Sequence, residues 1–306
     1  MMEEKIFDIV IIGFGPAGIT SGIYASRYKL GSMIIGKVKG GMITTSHLMD
    51  NYPGIEDING MDFTNKIVKH LEKYNECKIK EDEVIGISEI DNLFFISTKS
   101  GENIKSKSLI IATGTEKRQA NIKGEKDFIG KGISYCTTCD GFLYRNKKVV
   151  VLGSGDSAFN SALYLSSIAE KVYLICRKCS PSTEDKNVIN KVEENSKIEI
   201  LYETEIEEIK GEKFVEKIIT NKNEEIEVSG VFIEIGLIPQ SILFKNLNIE
   251  FENNFIKVNK YCETSKTGVF AAGDITTGFS ELKQVITAEA MGAVAATSAN
   301  KYLKTK

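Results

Sequence analysis

The same local pattern occurs twice in this chain: a short apolar strand, a glycine-rich turn and a helix-forming segment. The first copy reads FDIVII, GFGPAG and ITSGIYASRYKL, and the second reads KVVVL, GSGDSA and FNSALYLSSIA. Their first glycines, Gly13 and Gly153, lie 140 residues apart. A strand buried on both faces, a tight turn and a helix in this order are typical of a dinucleotide-binding βαβ unit. The sequence therefore predicts an α/β fold with two Rossmann-like domains.

Each position of the two motifs has a physical task. The first glycine permits the turn, the second lets the backbone approach a pyrophosphate, and the third small residue lets the helix pack on its strand. These positions are Gly13, Gly15, Gly18, Gly153, Gly155 and Ala158. An enzyme with two such units usually holds a flavin dinucleotide in one and a nicotinamide nucleotide in the other. The alternative is one functional site and one degenerate duplicate.

Two later segments extend the first unit. SLIIATGT and TGVFAAGD both read as strands that end in glycine turns, and a long helix rich in small residues follows the second. The carboxylate of Asp274 at such a strand end can accept hydrogen bonds from a sugar-like hydroxyl chain. We therefore predict that the second domain is inserted into the first. The predicted bounds are 1–117 with 244–306 for a discontinuous FAD-binding domain, and 118–243 for an NAD(P)H-binding-like domain that carries a redox dithiol.

Two Cys-x-x-Cys pairs, Cys136 with Cys139 and Cys176 with Cys179, raise the question of their task. Without an export signal, six cysteines suggest a reducing compartment, where such a pair is more often catalytic or metal-binding than a structural staple. A shared zinc site would have 36 residues between the pairs, against about 15–20 in a zinc ribbon. We interpret Cys136 and Cys139 as the working pair and the second pair as a chance replacement in a loop. A second redox relay stays open as the alternative.

The composition excludes several partners. The net charge of −3 and the pI of about 5.7 give no reason to expect nucleic acid or an anionic membrane surface. No apolar run approaches the roughly 20 residues that span a bilayer. The acidic N-terminus does not look like a secretory or transit signal. We expect a cytoplasmic protein.

Taken together, these motifs resemble those of the low-molecular-weight thioredoxin reductases, class II of the FAD-dependent pyridine nucleotide-disulfide oxidoreductases. The resemblance covers nearly the whole chain and rests on GFGPAG, GGMITTSHLMDNYPG, ATG, YCTTCDGFLYRNKKVVVLGSGDSA and TGVFAAGD in this order. It implies an enzyme, a thioredoxin-disulfide reductase, that acts as a homodimer on thioredoxin or a thioredoxin-like protein. It implies no metal. Because the flavin motif begins close to the N-terminus, we expect the oxidised partner to be a separate protein.

The resemblance also implies cofactor contacts. Two departures from the family pattern lie near the expected flavin, Met42 where the family has Gln and Lys283 where it has Arg. FAD would be held by Gly13, Gly15, Pro16, Ala17, Gly18, Gly41, Asn51, Ala112, Thr113, Gly114, Gly273, Asp274, Lys283 and Gln284. A nicotinamide nucleotide would be held by Gly153, Gly155, Ala158, Arg177 and Lys178.

By the same resemblance, Cys139 is the sulfur next to the flavin and Cys136 is the sulfur that meets the partner. Asp140 would move the proton at this site. A buried, inert cysteine pair is the alternative. In the family the inserted domain rotates about its two linkers, which here would be EKRQAN and PQSIL.

The electron donor is the open question. The family clamps the 2′-phosphate of NADPH with His-Arg-Arg-x-x-x-Arg, whereas this chain has Cys176, Arg177, Lys178 and, at the last position, Ser182. Loss of one charge-assisted hydrogen bond, worth about 1.5–3 kcal/mol, weakens binding by about 10- to 100-fold. We predict NADPH held by a weakened clamp. The alternatives are a non-nicotinamide donor such as reduced ferredoxin and, in a different class, a flavin-bound redox sensor without turnover.

Overall fold

The computed structural model describes residues 6–46, 49–279 and 282–305. His47 and Leu48, within one of the family motifs, and the N-terminal residues 1–5 lie outside this range. The strands, numbered in chain order, are β1 Ile6–Phe7, β2 Ile9–Ile12, β3 Ser32–Gly36, β4 Cys77–Glu81, β5 Val84–Ile90, β6 Leu93–Thr98, β7 Asn103–Ser106, β8 Leu109–Ile111, β9 Thr115–Lys117, β10 Ile133–Ser134, β11 Lys148–Leu152, β12 Lys171–Cys176, β13 Ile198–Tyr202, β14 Ile206–Lys210, β15 Lys217–Thr220, β16 Glu225–Glu227, β17 Gly230–Ile233, β18 Leu237–Pro239, β19 Phe251–Glu252, β20 Phe255–Ile256 and β21 Val269–Ala271.

Helices follow the strands at the positions that the glycine motifs predict. The α-helices are α1 Pro16–Arg27, α2 Gly60–Leu71, α3 Thr137–Asp140, α4 Asp156–Ser166, α5 Lys186–Glu193 and α6 Val285–Lys304. Short 3₁₀ helices lie at Gly41–Thr45, Lys126–Phe128, Gly141–Tyr144 and Ile242–Leu247. Within the described range, none of the helices combines the length and apolar character needed to cross a bilayer.

The chain divides into two compact units, the first made of Met1–Glu116 with Ile238–Lys306 and the second of Lys117–Leu237. These divisions lie one and six residues before the predicted domain boundaries, which ended the segments at 117 and 243. The second difference has a local cause. Strand β18 pairs with β9, and the amide of Gln240 donates to the carbonyl of Gly114 at 3.2 Å, so the returning chain joins the first unit early.

The first unit is built on a parallel sheet with the strand order β21-β8-β2-β3-β4. Strand β2 is buried on both faces, because Ile9 and Ile11 pack into the core beneath α1 and α6. Val10 and Ile12 pack on the opposite side, against the second sheet β1-β7-β6-β5. This burial explains the uninterrupted apolar run in the sequence.

The second unit repeats the plan with the parallel order β10-β17-β11-β12-β13. Val149 and Val151 of β11 pack with α4 on one face, and Val150 packs on the other face in the core that includes the antiparallel strands β14 and β15. The predicted α/β architecture with two Rossmann-like units is confirmed.

Parallel strands bring their carboxyl ends to one edge of the sheet. In the first unit this edge receives the turns after β2, β8 and β21. In the second unit it receives the turns after β10, β11, β12 and β17. All predicted site residues that directly follow a strand therefore lie at one of these two edges.

Candidate active site

A disulfide joins Cys136 and Cys139 at the start of α3, with Cα atoms 5.3 Å apart. Strand β10 ends at Ser134, and the chain then turns so that Cys136 precedes the helix and Cys139 lies within it. The amides of Cys139 and Asp140 both donate to the carbonyl of Cys136, at 3.2 and 3.1 Å. One tight turn thus holds both sulfurs, and the structure pairs the two cysteines that the sequence analysis assigned to redox chemistry.

Asp140 is fixed beside this turn by one of its two carboxylate oxygens. The hydroxyl of Ser134 donates to Asp140 Oδ2 at 2.6 Å, and the same hydroxyl oxygen accepts from the amide of Cys136 at 3.1 Å. Asp140 Oδ1 is buried and has no hydrogen-bond partner among the described residues. Burial, with the Asp140 charge as a second cause, raises the pKa of Tyr144 to about 12. The arrangement leaves one carboxylate oxygen available to take or give a proton.

The first glycine turn contains two glycines that the protein itself requires and one that it does not. Gly13 has φ +117°, and a Cβ there would lie 2.1 Å from the carbonyl oxygen of Ala112. A Cβ on Gly18 would lie 2.0 Å from the carbonyl oxygen of Gly13. Gly15 has an extended backbone. The atom nearest to a Cβ built there would be the carbonyl oxygen of Gly40, at 3.9 Å. Neither backbone strain nor packing explains a glycine at position 15, whereas the close approach of a ligand does.

The start of α1 is open to an anion. Pro16 occupies the first turn, and this turn contains no acidic residue. Gly273 packs against it, since a Cβ at Gly273 would lie 3.0 Å from the Cβ of Ala17. The positive end of the helix dipole is therefore not neutralised by its own first turn, as a phosphate-binding helix requires.

Two other predicted flavin-binding segments adjoin the glycine turn. A Cβ on Gly41, which has φ +60°, would lie 3.3 Å from the Cα of Gly15. On the side of Gly13 lies the turn Ala112–Gly114, where the Thr113 hydroxyl donates to the carbonyl of Gln240 at 3.1 Å. The structure thus brings Gly41 and the Ala112–Gly114 turn to the same edge as Gly15.

Lys283 supports the backbone around Asp274. Its ammonium donates to the carbonyl oxygens of Asp274 at 2.8 Å and Thr276 at 3.3 Å. It also lies 4.5 Å from the centroid of the Phe255 ring. Burial lowers the pKa of Lys283. The lysine found where the family has arginine therefore shapes the loop that presents Asp274.

Asn51 and Gln284, predicted from distant parts of the chain, are in direct contact. The amide of Asn51 donates to Gln284 Oε1 at 2.9 Å. Gln284 also caps α6 through reciprocal hydrogen bonds with Thr287. Beside this pair, the Tyr52 hydroxyl donates to Glu289 Oε2 at 2.6 Å, and burial followed by this hydrogen bond raises the pKa of Tyr52 to about 12. Glu289 was not predicted from the sequence, where its signal is a single carboxylate within a run of small residues.

In the second glycine turn, as in the first, close contacts require the first glycine but not the second. Gly153 has φ +153°, and a Cβ there would lie 2.3 Å from the carbonyl oxygen of Glu234 and 2.8 Å from the Cβ of Ala158. Gly155 is extended, and a Cβ on it would meet nothing within 4 Å. As at Gly15, the backbone here leaves room for the close approach of a ligand.

Comparison with known proteins shows which family this chain belongs to. The sequence profile of the family described as pyridine nucleotide-disulphide oxidoreductase matches residues 7–292. The chain belongs to this family. It is 35% identical over 314 residues to a thioredoxin reductase of Bacillus subtilis (strain 168), with 99% of this chain and 97% of the relative covered.

Two further relatives agree. A thioredoxin reductase of Ureaplasma parvum is 38% identical over 312 residues, covering 99% of this chain and 98% of the relative. The crystal structure of a thioredoxin reductase from Streptococcus pyogenes superimposes with a TM-score of 0.91 at 31% identity, covering 98% of this chain and 99% of that one. The resemblance drawn from the sequence motifs is confirmed.

In this pyridine nucleotide-disulphide oxidoreductase the second glycine turn has polar neighbours from its own chain. The amide of Ser182 donates to the carbonyl of Ser154 at 2.7 Å, and the two hydroxyls are 2.9 Å apart. The Thr183 hydroxyl donates to Asp156 Oδ1. Asp156 lies in the first turn of α4, where its carboxylate competes with an incoming phosphate for the helix dipole.

The predicted clamp residues lie where β12 ends. Arg177 and Lys178 directly follow this strand, and both side chains are exposed. Among the described residues neither has an ion-pair partner, so both cations are available to an anionic ligand at this edge of the sheet.

Cys176 differs from its prediction. It is the last residue of β12 rather than a loop residue, and its side chain is fully buried. Its thiol donates to the carbonyl of Gly153 at 3.3 Å, and burial raises its pKa to about 11. Cys179 is exposed, and both thiols are free. The side chain of Cys176 therefore packs in the core of the second unit, where its thiol contacts the glycine turn that follows β11.

The remaining residue of interest, Glu234, was not singled out from the sequence. It directly follows β17 and accepts hydrogen bonds from Thr137, Ser157 and Ser161. The available signal was a single carboxylate within the apolar run GVFIEIG.

Proposed function

We propose that this chain is a thioredoxin-disulfide reductase whose working pair is Cys136 and Cys139. The observation that supports it is the disulfide at the start of α3, beside the free carboxylate oxygen of Asp140. The full-length relatives named thioredoxin reductase support the same assignment.

The proposed reaction cycles Cys136 and Cys139 between a disulfide and two thiols. Two electrons and two protons convert the disulfide to two thiols. The Cys136 thiolate then attacks the disulfide of thioredoxin, which forms a mixed disulfide and releases one thiol of the partner. The Cys139 thiolate attacks the sulfur of Cys136 in that mixed disulfide, which releases the second thiol and restores the original disulfide. Asp140 Oδ1 takes and returns the proton at the pair.

The first unit has the features that FAD requires. FAD, when bound, supplies the two electrons for the disulfide. The unexplained glycine at Gly15, the uncompensated start of α1 and the Asp274 loop favour binding there. We propose that Gly13, Gly15, Pro16, Ala17, Gly18, Gly41, Asn51, Ala112, Thr113, Gly114, Gly273, Asp274 and Gln284 contact FAD, and that Lys283 supports the loop.

The second unit is proposed to take the nicotinamide nucleotide that donates the electrons. Gly155 has no reason within the protein to be glycine, and Gly153, Ala158, Arg177 and Lys178 complete the site. NADPH is the proposed donor because two cations directly follow β12. A second candidate, a non-nicotinamide donor such as reduced ferredoxin, is favoured by the Asp156 carboxylate in the first turn of α4.

We also propose a homodimer that works in the cytoplasm on a separate thioredoxin or thioredoxin-like protein. The relatives named thioredoxin reductase support a protein of the thioredoxin class as the substrate.

The decisive experiment tests donor and acceptor separately. The FAD-loaded protein is mixed under anaerobic conditions with NADPH, NADH or reduced ferredoxin, and bleaching of the flavin absorbance is followed. Oxidised thioredoxin is then added, and its new thiols are counted. A flavin that is reduced by any donor but yields no thioredoxin thiols would overturn the proposed activity and would favour the sensor.

A further inference from the structure

Glu234 lies at the junction of two functional turns. It directly follows β17, which lies between β10 and β11 in the sheet. Strand β10 leads to Cys136, and β11 leads to the glycine turn at Gly153. The amide of Glu234 donates to the carbonyl of Leu152 at 2.8 Å, so the backbone of this residue is fixed at the sheet edge.

The Glu234 carboxylate gathers three hydroxyl groups. Oε1 accepts from the hydroxyls of Thr137 at 2.8 Å and Ser161 at 3.1 Å, and Oε2 accepts from Ser157 at 2.7 Å. Thr137 and Ser161 are only 4% and 8% exposed. Among the described residues, no lysine or arginine forms a salt bridge with Glu234. Hydrogen bonds to a charged group are stronger than neutral ones, so these three contacts hold a defined geometry.

The three hydroxyls belong to two different helices. Ser157 and Ser161 are one turn apart on α4, whereas Thr137 is the first residue of α3 and directly follows Cys136. Helix α3 has only four residues, too few to be stable without tertiary support. Its orientation therefore depends on contacts such as the one between Thr137 and Glu234.

We propose that Glu234 is a positioning residue for the redox pair, acting through Thr137. The proposal rests on the redox role assigned above. While the disulfide is closed, the covalent bond holds the two cysteines together. Once it is reduced, noncovalent contacts must keep the thiols within reach of each other, and the bond between Thr137 and Glu234 holds the backbone next to Cys136. A tethered dithiol closes more readily, which makes the pair a stronger reductant.

The test measures the equilibrium of the pair without using turnover. The FAD-loaded protein is equilibrated in glutathione or dithiothreitol redox buffers and quenched with an alkylating agent. The thiol fraction of the peptide containing Cys136 and Cys139 is then read by mass spectrometry. Thr137→Val removes the hydroxyl at nearly constant volume, and Glu234→Ala removes the acceptor. Each should lower the equilibrium constant for disulfide closure by about tenfold, equivalent to about 30 mV.

Three comparisons separate positioning from general destabilisation. Thr137→Ser restores a hydroxyl and should return the constant to within about twofold of wild type. Ser161→Ala removes a bond to the same carboxylate without touching α3 and should also stay within about twofold. The double variant Thr137→Val with Glu234→Ala should equal either single variant, since both remove one interaction. Thermal unfolding of every variant shows whether the fold is retained.

The outcomes are distinguishable. If wild type reduces thioredoxin but Thr137→Val and Glu234→Ala close their disulfide like wild type, the positioning role is wrong and the proposed function stands. Additive effects of the two substitutions would also refute it. If the wild-type pair cannot be reduced and reoxidised in any buffer, both proposals fail together.

Discussion

The two glycine turns share a backbone plan but differ in the charges that surround them. In both, the first glycine is required by a close backbone contact and the second is required by nothing in the protein. The first turn of α1 contains no acidic residue, whereas that of α4 begins with Asp156. The Glu234 carboxylate lies close by and binds Ser157 on the same helix. The two units therefore share the fold that the motif predicts but differ in the charge at the start of the helix that follows it.

The largest expected effect separates cofactor binding from chemistry. Cys139→Ser should keep FAD bound in the first unit but abolish thioredoxin reduction. Without Cys139 the internal disulfide cannot form, and a mixed disulfide between Cys136 and thioredoxin cannot be resolved. Flavin absorbance after gel filtration and thioredoxin thiol release are the two measurements. Turnover at the wild-type rate would show that Cys136 and Cys139 are not the working pair.

The next prediction tests the two second-position glycines directly. Gly15→Ala should weaken FAD binding by about tenfold, the equivalent of 1.4 kcal/mol. The unfolding temperature of the apoprotein should stay unchanged, since the nearest atom to the new methyl group is the Gly40 carbonyl oxygen at an unstrained 3.9 Å. Fluorescence titration of the apoprotein with FAD measures the first, and thermal unfolding the second.

Two matched variants control this result. Gly155→Ala should leave FAD affinity intact and instead raise the KM for NADPH. Gly13→Ala should damage the fold itself, because its Cβ would lie 2.1 Å from a carbonyl oxygen. Equal FAD affinity in wild type and Gly15→Ala would remove the argument for a ligand at that turn.

A smaller effect is expected from rebuilding the cationic clamp. Lys178→Arg combined with Ser182→Arg adds bidentate phosphate donors after β12, and we expect the KM for NADPH to fall by about tenfold with little change for NADH. Cys176 should be left unchanged, since a histidine there would have to enter the core. Steady-state kinetics with both nucleotides measures the effect. If reduced ferredoxin bleaches the flavin of both proteins and NADPH bleaches neither, the second unit does not use a nicotinamide donor.

The smallest effect concerns the second cysteine pair. Cys176→Ser with Cys179→Ser should leave thioredoxin reduction within about a few-fold of wild type, because a serine hydroxyl can still donate to the Gly153 carbonyl. With the pKa of Cys176 raised to about 11, its thiol stays protonated below that pH, and iodoacetamide should modify Cys179 but not Cys176 in the native protein. Loss of turnover in a variant that folds normally would restore the relay hypothesis.

The sequence predicted the elements that follow a local pattern, namely the strand, glycine turn and helix of each motif. The strand KVVVL occupies the bounds predicted for β11, and the order of strand, glycine turn and helix holds in both units. Both motif helices begin three residues earlier than predicted, at Pro16 and Asp156, because the extended second glycine is itself the residue before the helix.

Contacts between distant segments could not be predicted in this way. The side chain of Lys283 reaches the carbonyls of Asp274 and Thr276, and Glu234 joins Thr137 to α4. Neither contact has a sequence period or spacing that reveals it. The burial of Cys176 was also missed, since its place in a Cys-x-x-Cys pair suggested a loop, whereas it is the last residue of β12 and packs in the core.

The sheet order of the first unit also decides when each part can form during protein synthesis. Strand β21 at residues 269–271 pairs with β8, and α6 packs so closely on α1 that a Cβ at Gly292 would lie 2.2 Å from the carbonyl oxygen of Ala17. The first unit, although it begins at the N-terminus, must wait for the last part of the chain to leave the ribosome. The second unit is continuous and can fold while its neighbour is still incomplete. A nascent chain released before residue 269 would have the redox pair in a complete parallel sheet, while the first unit would still lack a strand and a helix.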